Sequence, residues 1–378
     1  MASVLNIFYL TSIRITLFFL VLAPKSHGFV KKSHMSLRDK IGQMIIVDIP
    51  KGQLSQKTKR HLKRGRFGGI LFFRYNIAST HQTRTLIQQL QSRAINKSGL
   101  PFFIAIDQEG GTINRIKNLK TPASFKGART LGSLFSKHTQ ANHRFQSATH
   151  QVASVLGRLG FNLNLAPVLD LSKNPKAFMY RRSYASDPKF VSKLAHQHIT
   201  IMERSGVIST GKHFPGLGET TTDSHYSLPV IRKPYRDLVR KDFIPFHRLR
   251  NKLGAIMLAH VLVPAIDPIF PASISPKVIE VLRKVVGYKG LIITDHLQMK
   301  ALTNQFTMAD ILIRSINAGA NILTIAANDK HEWQAIDIIH KAVLSGQIPR
   351  KRIEESIDLI LALKRHLPEY RPLASHNH

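Results

Sequence analysis

The chain contains eight short apolar runs, and most of them are separated by longer amphipathic stretches with helical periodicity. The runs lie at 44–49, 69–73, 102–107, 162–167, 207–212, 255–260, 290–295 and 321–326, and helices are predicted at 80–96, 139–159, 189–205, 235–252 and 275–286. Each run has the length of a strand, is rich in Ile, Val, Leu or Phe and lacks a clean polar alternation, as strands buried on both faces do. This pattern predicts an α/β fold, a single (β/α)8 barrel of the TIM type. A doubly wound open sheet shares the same repeat and is the alternative.

Polar side chains cluster where the apolar runs end, which favours the barrel. They are Asp107, Asp170, Lys212, His213, His260 and Asp295. Barrel enzymes build their active sites at the carboxyl ends of the strands. The catalytic barrel is predicted to span residues 36–366, and 367–378 form a polar C-terminal tail. The segment after the eighth run has room for two helices and the tail, but not for a second α/β domain.

The chain of 378 residues has no cysteine, which excludes disulfides, thiolate nucleophiles and cysteine metal sites. Its formal net charge is +33, from 55 Lys and Arg against 22 Asp and Glu. Neither zinc-finger spacing nor the aromatic and basic pattern of an RNA-binding sheet is present, so no nucleic-acid partner is predicted. The charge instead predicts a basic surface with weak attraction to anionic cell-wall or membrane material.

Residues 1–28 have the layout of a secretory signal. Arg14 precedes an apolar run at 15–23, and small or polar residues follow. The sequence around residues 26–28 lacks the usual small-x-small cleavage pattern, so an uncleaved N-terminal anchor is the alternative to a cleaved signal. We expect an exported or periplasmic protein. The alternative is a cytoplasmic protein with an apolar extension.

Asp295 directly follows the apolar residues 291–293. One interpretation is an aspartate that caps the next helix, a common role at a strand-to-helix turn. The other is a carboxylate at the barrel mouth that attacks an anomeric carbon, as the nucleophile of a retaining glycosidase does.

The segment GKHFPGLGETTTDSH, residues 211–225, contains a candidate general acid/base. His225 lies two residues after Asp223, and a carboxylate bound to one imidazole nitrogen fixes the tautomer of the ring. The other nitrogen can then protonate a leaving oxygen and later accept a proton from water. The segment's glycines predict a loop able to close over substrate. The competing interpretation of His225 is an ordinary surface histidine.

The same segment resembles the hallmark of the β-N-acetylglucosaminidases of glycoside hydrolase family 3. That hallmark reads Lys-His-Phe-Pro-Gly-x-Gly, four residues, then Asp-Ser-His, and it is matched from Lys212 to His225. Further segments resemble the family in the expected order, over roughly residues 36–345. They are IGQMII (41–46), GGILFFRYNI (68–77), AIDQEGGTINRI (105–116), NLNLAPVLDL (162–171), RRSYASDP (181–188), MLAHVLVPAIDP (257–268) and GYKGLIITDHLQMKAL (287–302).

The resemblance implies a retaining glycosidase with Asp295 as nucleophile, His225 as acid/base and Asp223 as its partner. It also implies that Asp107, Arg115, Arg182, Lys212 and His213 hold the sugar. No metal or cofactor is implied. The usual substrate is a terminal β-linked N-acetylglucosamine on a peptidoglycan fragment, and we expect a monomer. The alternatives are a phosphorylase of the same substrates, which gives sugar 1-phosphate, and a non-catalytic basic wall-binding barrel.

The chain departs from the family pattern at two positions. Leu217 stands where many relatives have a histidine or another polar residue, and this difference affects the details of how the loop would close. His296 stands where an aspartate often follows the nucleophile, and a histidine there changes the local electrostatic field.

Overall fold

The computed structural model describes residues 30–49, 67–119, 126–137, 141–326 and 331–367. Eight parallel strands follow one another in chain order and close into a barrel. They are β1 (Ile45–Asp48), β2 (Gly69–Phe72), β3 (Phe103–Ile106), β4 (Leu163–Asn164), β5 (Ile208–Phe214), β6 (Ala255–Leu258), β7 (Leu291–His296) and β8 (Ile322–Ile325). The pairing of β1 with β8 completes the ring. This confirms the barrel and excludes the open sheet.

Both faces of the strands are buried, as their composition predicts. β2, β3, β6 and β8 are buried at every position. One face fills the barrel and the other packs under the helices. The ionisable residues of β5 and β7 lie toward the carboxyl ends of their strands, which brings Lys212, His213 and Asp295 to the barrel mouth.

Helices cover the barrel. They are α1 (Leu37–Gln43), α2 (Thr80–Ser98), α3 (Ala128–Lys137), α4 (Ala141–Leu159), α5 (Pro188–Arg204), α6 (Tyr235–Asp237), α7 (Ile244–Leu249), α8 (Pro276–Lys284), α9 (Lys300–Thr303), α10 (Met308–Ala318), α11 (His331–Leu344) and α12 (Arg350–Lys364). Several begin with a side chain that accepts a hydrogen bond from the first turn. Asp187 caps α5, Ser275 caps α8 and Thr307 caps α10.

The helix predicted at 235–252 is divided. After the single turn of α6 the chain forms a π-helix, Leu238–Asp242, and then α7. Pro245 explains the break, because proline has no backbone N–H and disrupts a continuous helix at that position. The N–H of Phe243 bonds instead to the carbonyl of Leu238, five residues back.

The barrel elements run from Leu37 to Lys364. Residues 1–28, and the tail beyond residue 367, lie outside the described residues, so the expectations of a signal or anchor and of a polar tail stay predictions. Among the helices of the described residues, none combines the length and apolar character required to span a bilayer.

Candidate active site

Asp295 lies near the end of β7, where the pairing with β8 shifts register between Ile293 and His296. Its Oδ1 accepts a hydrogen bond of 2.7 Å from the backbone N–H of His296. Burial alone would raise the pKa of Asp295, but its surroundings, which include this N–H and the Lys212 ammonium group, lower the pKa below its ordinary value. Asp295 is therefore an ionised carboxylate at neutral pH.

A buried ion cluster lies beside it. Lys212 Nζ is 2.7 Å from Asp107 Oδ1 and 2.7 Å from Glu109 Oε1. Arg182 donates two hydrogen bonds to the Glu109 carboxylate, from Nε to Oε2 at 2.8 Å and from Nη2 to Oε1 at 2.7 Å. Burial alone would raise the pKa of Glu109, but Arg182 and Lys212 hold it well below its usual range. Each buried charge has an opposite charge in contact, which offsets part of its desolvation cost.

Arg115 extends this cluster toward β2. Its Nη2 lies 3.7 Å from Asp107 Oδ2, and its guanidinium lies 5.1 Å from the centre of the Phe73 ring. Arg115 Nε is buried without a hydrogen-bond partner among the described residues. Arg115 and Asp107 thus form a polar edge beside an aromatic wall.

Asp170 fixes His213. Its Oδ2 accepts a hydrogen bond of 2.7 Å from His213 Nδ1 and one of 3.2 Å from the His213 backbone N–H. Its Oδ1 accepts from the backbone N–H of Leu217 at 2.6 Å. Because the carboxylate only accepts, the imidazole proton lies on Nδ1, and Nε2 faces Arg182 Nη2 at 3.5 Å as an acceptor.

His260 supports the carbonyl of the residue after Asp295. Its Nε2 donates to His296 O at 3.0 Å, and its Nδ1 lies 2.7 Å from Ser273 Oγ. Burial lowers the pKa of His260, which favours the neutral ring. Since a carbonyl only accepts, the proton is on Nε2 and Ser273 donates to Nδ1.

The predicted dyad forms on the loop after β5. His225 Nδ1 is 2.7 Å from Asp223 Oδ1, which also accepts from the His225 backbone N–H at 2.9 Å. The His225 side chain is 63% exposed and that of Asp223 is 26% exposed. Within the described residues, no hydrogen bond or ion pair joins this dyad to Asp295 or to the ion cluster. The dyad thus stands apart, at the rim of the mouth.

The base of this loop is held firmly, which corrects the interpretation of two of its glycines. A Cβ on Gly218 would lie 1.8 Å from Leu171 O, and one on Gly211 would lie 2.8 Å from side-chain carbons of Leu169 and Leu253. Both glycines permit close packing of the chain. Leu217, which lies between these two glycines in sequence, is buried and packs in the core. Gly216, with a φ of 127°, is the glycine whose backbone conformation other residues rarely adopt.

The structure brings Asp107, Arg115, Arg182, Lys212, His213 and Asp295 to one end of the barrel, with Asp223 and His225 paired on a loop beside them. Sequence reasoning missed Glu109 and the role of Asp170. Glu109 stands two residues after Asp107, and that short spacing after a strand is the available signal. Among the described residues, no three His, Asp or Glu side chains are grouped to hold a metal ion.

The family model for the glycosyl hydrolase family 3 N-terminal domain matches residues 36–363. The chain belongs to glycoside hydrolase family 3. This confirms the family resemblance, and the match covers nearly all of the barrel.

Family 3 relatives are similar over most of the chain. The beta-hexosaminidase of Nitrosomonas eutropha is 30% identical over 317 residues, which are 80% of this chain and 89% of that protein. Beta-hexosaminidase A of Pseudoalteromonas piscicida is 33% identical over 330 residues, which are 82% of this chain and 55% of that protein. A family 3 β-N-acetylglucosaminidase structure from Paenibacillus sp. str. FPU-7 superposes with a TM-score of 0.82 at 32% identity. The chain covers 65% of that structure, and 91% of this chain is matched. Two of these relatives are thus considerably longer than this chain.

Proposed function

We propose that this chain is a retaining glycoside hydrolase that releases terminal β-linked N-acetylglucosamine. The observation that carries the proposal is the ionised Asp295 at the end of β7, beside a cluster of side chains suited to sugar hydroxyls. An ionised carboxylate at the barrel mouth can attack an anomeric carbon without prior loss of a proton. The names of the family 3 relatives support the N-acetylhexosaminide substrate.

In the first step, an Asp295 carboxylate oxygen forms a bond to the anomeric carbon while the bond to the leaving oxygen breaks. His225 Nε2 donates its proton to that oxygen. In the second step, water attacks the same carbon, its proton passes to His225, and the Asp295 ester bond breaks. Asp223 holds Nδ1, so Nε2 is the nitrogen available for both transfers.

Sugar binding falls to Asp107, Arg115, Arg182, Lys212 and His213. Lys212 and Arg182 donate hydrogen bonds, whereas Asp107 and His213 Nε2 can accept them from hydroxyl groups. The carboxylate pairs keep the cations in place before substrate arrives, so little ordering is required on binding.

We infer that the leaving group belongs to an anionic peptidoglycan fragment. The support is the charge of the strand-to-helix loops at the mouth. Their exposed basic side chains include Arg74, Lys117, Lys126, Lys173, Lys176, Arg181 and Arg232. The exposed carboxylate among the described residues of these loops, Asp187, caps α5. A positive rim attracts carboxylate-bearing glycans from solution.

We also propose export across the cytoplasmic membrane, supported by the layout of residues 1–28.

Nucleophile replacement tests the mechanism. In Asp295→Gly, hydrolysis of an aryl N-acetyl-β-glucosaminide should fall by at least about a thousandfold. Added azide should restore turnover and give the α-glycosyl azide, because the small anion takes the place of the lost carboxylate. Absence of azide product in a folded variant would refute Asp295 as nucleophile.

Phosphorolysis is the second candidate, since a histidine acid/base repels incoming phosphate less than a carboxylate would. The reaction would yield N-acetylglucosamine 1-phosphate. Product analysis in phosphate buffer separates the two: free sugar as the sole product supports hydrolysis, and sugar 1-phosphate supports phosphorolysis.

A further inference from the structure

His296, the residue after Asp295, has a carboxylate neighbour of its own. His296 Nε2 lies 3.7 Å from Asp48 Oδ2, at the end of β1. The two side chains are 20% and 13% exposed. Nε2 is buried without a hydrogen-bond partner among the described residues. Asp48 is thus a carboxylate within 4 Å of a nitrogen that has no hydrogen bond in the described part of the chain.

The backbone of His296 is fixed on both sides. Its N–H donates to Asp295 Oδ1, and its carbonyl accepts from His260 Nε2. The register shift between β7 and β8 also falls at this residue. The ring therefore projects from a rigid position one residue away from the nucleophile.

An aromatic wall completes this side of the mouth. The ring centres of His296 and Phe73 are 6.4 Å apart, and Tyr75 stacks on Phe73 at 5.6 Å. Tyr75 is 45% exposed. The corner thus combines an imidazole with an apolar surface next to the carboxylate expected to attack the sugar.

We propose that His296, oriented by Asp48, determines specificity by contacting the 2-acetamido group of the bound sugar. With Nε2 directed to Asp48, Nδ1 is the nitrogen that can accept a hydrogen bond from the amide N–H. Phe73 and Tyr75 provide the apolar surface for the acetyl methyl group. This inference rests on the proposed reaction at Asp295.

The position of the contact follows from the reaction geometry. Adjacent Cα atoms are about 3.8 Å apart, so the backbone of His296 lies next to the carboxylate expected to attack the anomeric carbon. The ring substituents that flank the anomeric carbon are the acetamido group on C2 and, across the ring oxygen, the hydroxymethyl group on C5. Both donate hydrogen bonds, but only the acetamido group also has a methyl group to place on an aromatic wall.

Two substitutions distinguish the nitrogens of the ring. Asparagine places a carboxamide oxygen near the position of Nδ1, whereas glutamine places its amide nearer to that of Nε2. The substrates are aryl β-glycosides of N-acetylglucosamine, glucose and 6-deoxy-N-acetylglucosamine. His296→Gln should lower the preference for N-acetylglucosamine over glucose by about tenfold in kcat/KM. His296→Asn should retain most of the preference, and Asp48→Asn should lower it less than His296→Gln does.

His150→Ala, at an exposed position on α4, is the matched control and should leave the preference unchanged. If His296→Gln slows the three substrates equally, the residue only supports Asp295 and the proposal is overturned. If instead the preference for N-acetylglucosamine over its 6-deoxy form collapses, the contact is at C6 and the acetamido assignment is overturned. The azide experiment on Asp295→Gly is independent of these results, so failure of the proposed reaction would be recognised separately.

Discussion

Asp170 Oδ2 accepts a hydrogen bond of 2.7 Å from His213 Nδ1, and this contact leaves Nε2 as the nitrogen of His213 that can accept a hydrogen bond. The same carboxylate holds the backbone N–H groups of His213 and Leu217. It therefore orients the His213 side chain, which we propose binds the sugar, and the beginning of the loop that bears the dyad.

Asp170→Asn should disturb this arrangement while preserving its shape. The asparagine Oδ1 can still accept from Leu217 N–H, so its NH2 group would face His213 Nδ1. The imidazole proton then moves to Nε2, opposite the Arg182 guanidinium, where two donors meet. We expect kcat/KM to fall about 10- to 100-fold, with most of the loss in KM. Steady-state kinetics with an aryl glycoside, and circular dichroism to verify folding, provide the measurement. Unchanged kinetics would show that the His213 tautomer does not matter.

His225→Ala should discriminate between leaving groups. A dinitrophenolate departs with little protonation, whereas a sugar alkoxide requires the acid. We expect a loss of about 10²- to 10⁴-fold on a disaccharide and a much smaller loss on the formation of the glycosyl-enzyme from the dinitrophenyl glycoside. Pre-steady-state release of the phenolate measures that first step. Equal losses on both substrates would assign His225 a structural role.

Lys364 lies at the end of the barrel opposite to the mouth. Its titration is expected to make the stability of the fold depend on pH. Its Nζ donates to Gln43 Oε1 at 2.7 Å and to Pro101 O at 2.6 Å. Burial lowers the pKa of Lys364 to about 7, from an ordinary value of 10.5. Between these values the unfolded chain binds a proton that the folded chain does not, so this group makes the free energy of unfolding rise with pH.

Lys364→Met should therefore reduce that rise. The lost hydrogen bonds cost about the same at every pH, so the slope isolates the titration. The free energy of unfolding of the variant, relative to the natural chain, should be most favourable near pH 6 and decline toward pH 10. Urea unfolding across this range measures it, with Lys351→Met, exposed on the same helix, as control. A constant difference at every pH would mean that Lys364 keeps an ordinary pKa.

The basic loops at the mouth should act on capture and not on the chemical step. Surface fields decay over about 8 Å at physiological ionic strength. The kcat/KM for a neutral aryl glycoside should change little between low and high salt, whereas that for a carboxylate-bearing muropeptide should fall. Parallel salt curves would remove the support for an anionic leaving group.

The barrel could be predicted because parallel strands buried on both faces are recognisable in sequence as short, continuous apolar runs. For the same reason, the positions of Asp107, Lys212, His213 and Asp295 at or near the carboxyl ends of β3, β5 and β7 could be predicted from where the apolar runs end. The dyad was predicted from the spacing of Asp223 and His225, since both partners lie in one turn of chain.

Contacts between side chains that are far apart in sequence could not be predicted in this way. Glu109 meets Arg182, 73 residues away, and Asp170 meets His213, 43 residues away. A carboxylate in a loop gives no sign of its partner until the barrel closes. The glycines were misread for a related reason, because the chain that Gly218 approaches, at Leu171, belongs to a different loop.

The dyad has one further consequence. Asp223 and His225 are separated by a single residue and bond to each other within their own loop. Because this bond lies within the loop, any displacement of the loop would carry the donor and the carboxylate together. In the proposed reaction, His225 would thus take up its proton directly from solvent, to which its side chain is 63% exposed, with no relay of protons through the barrel.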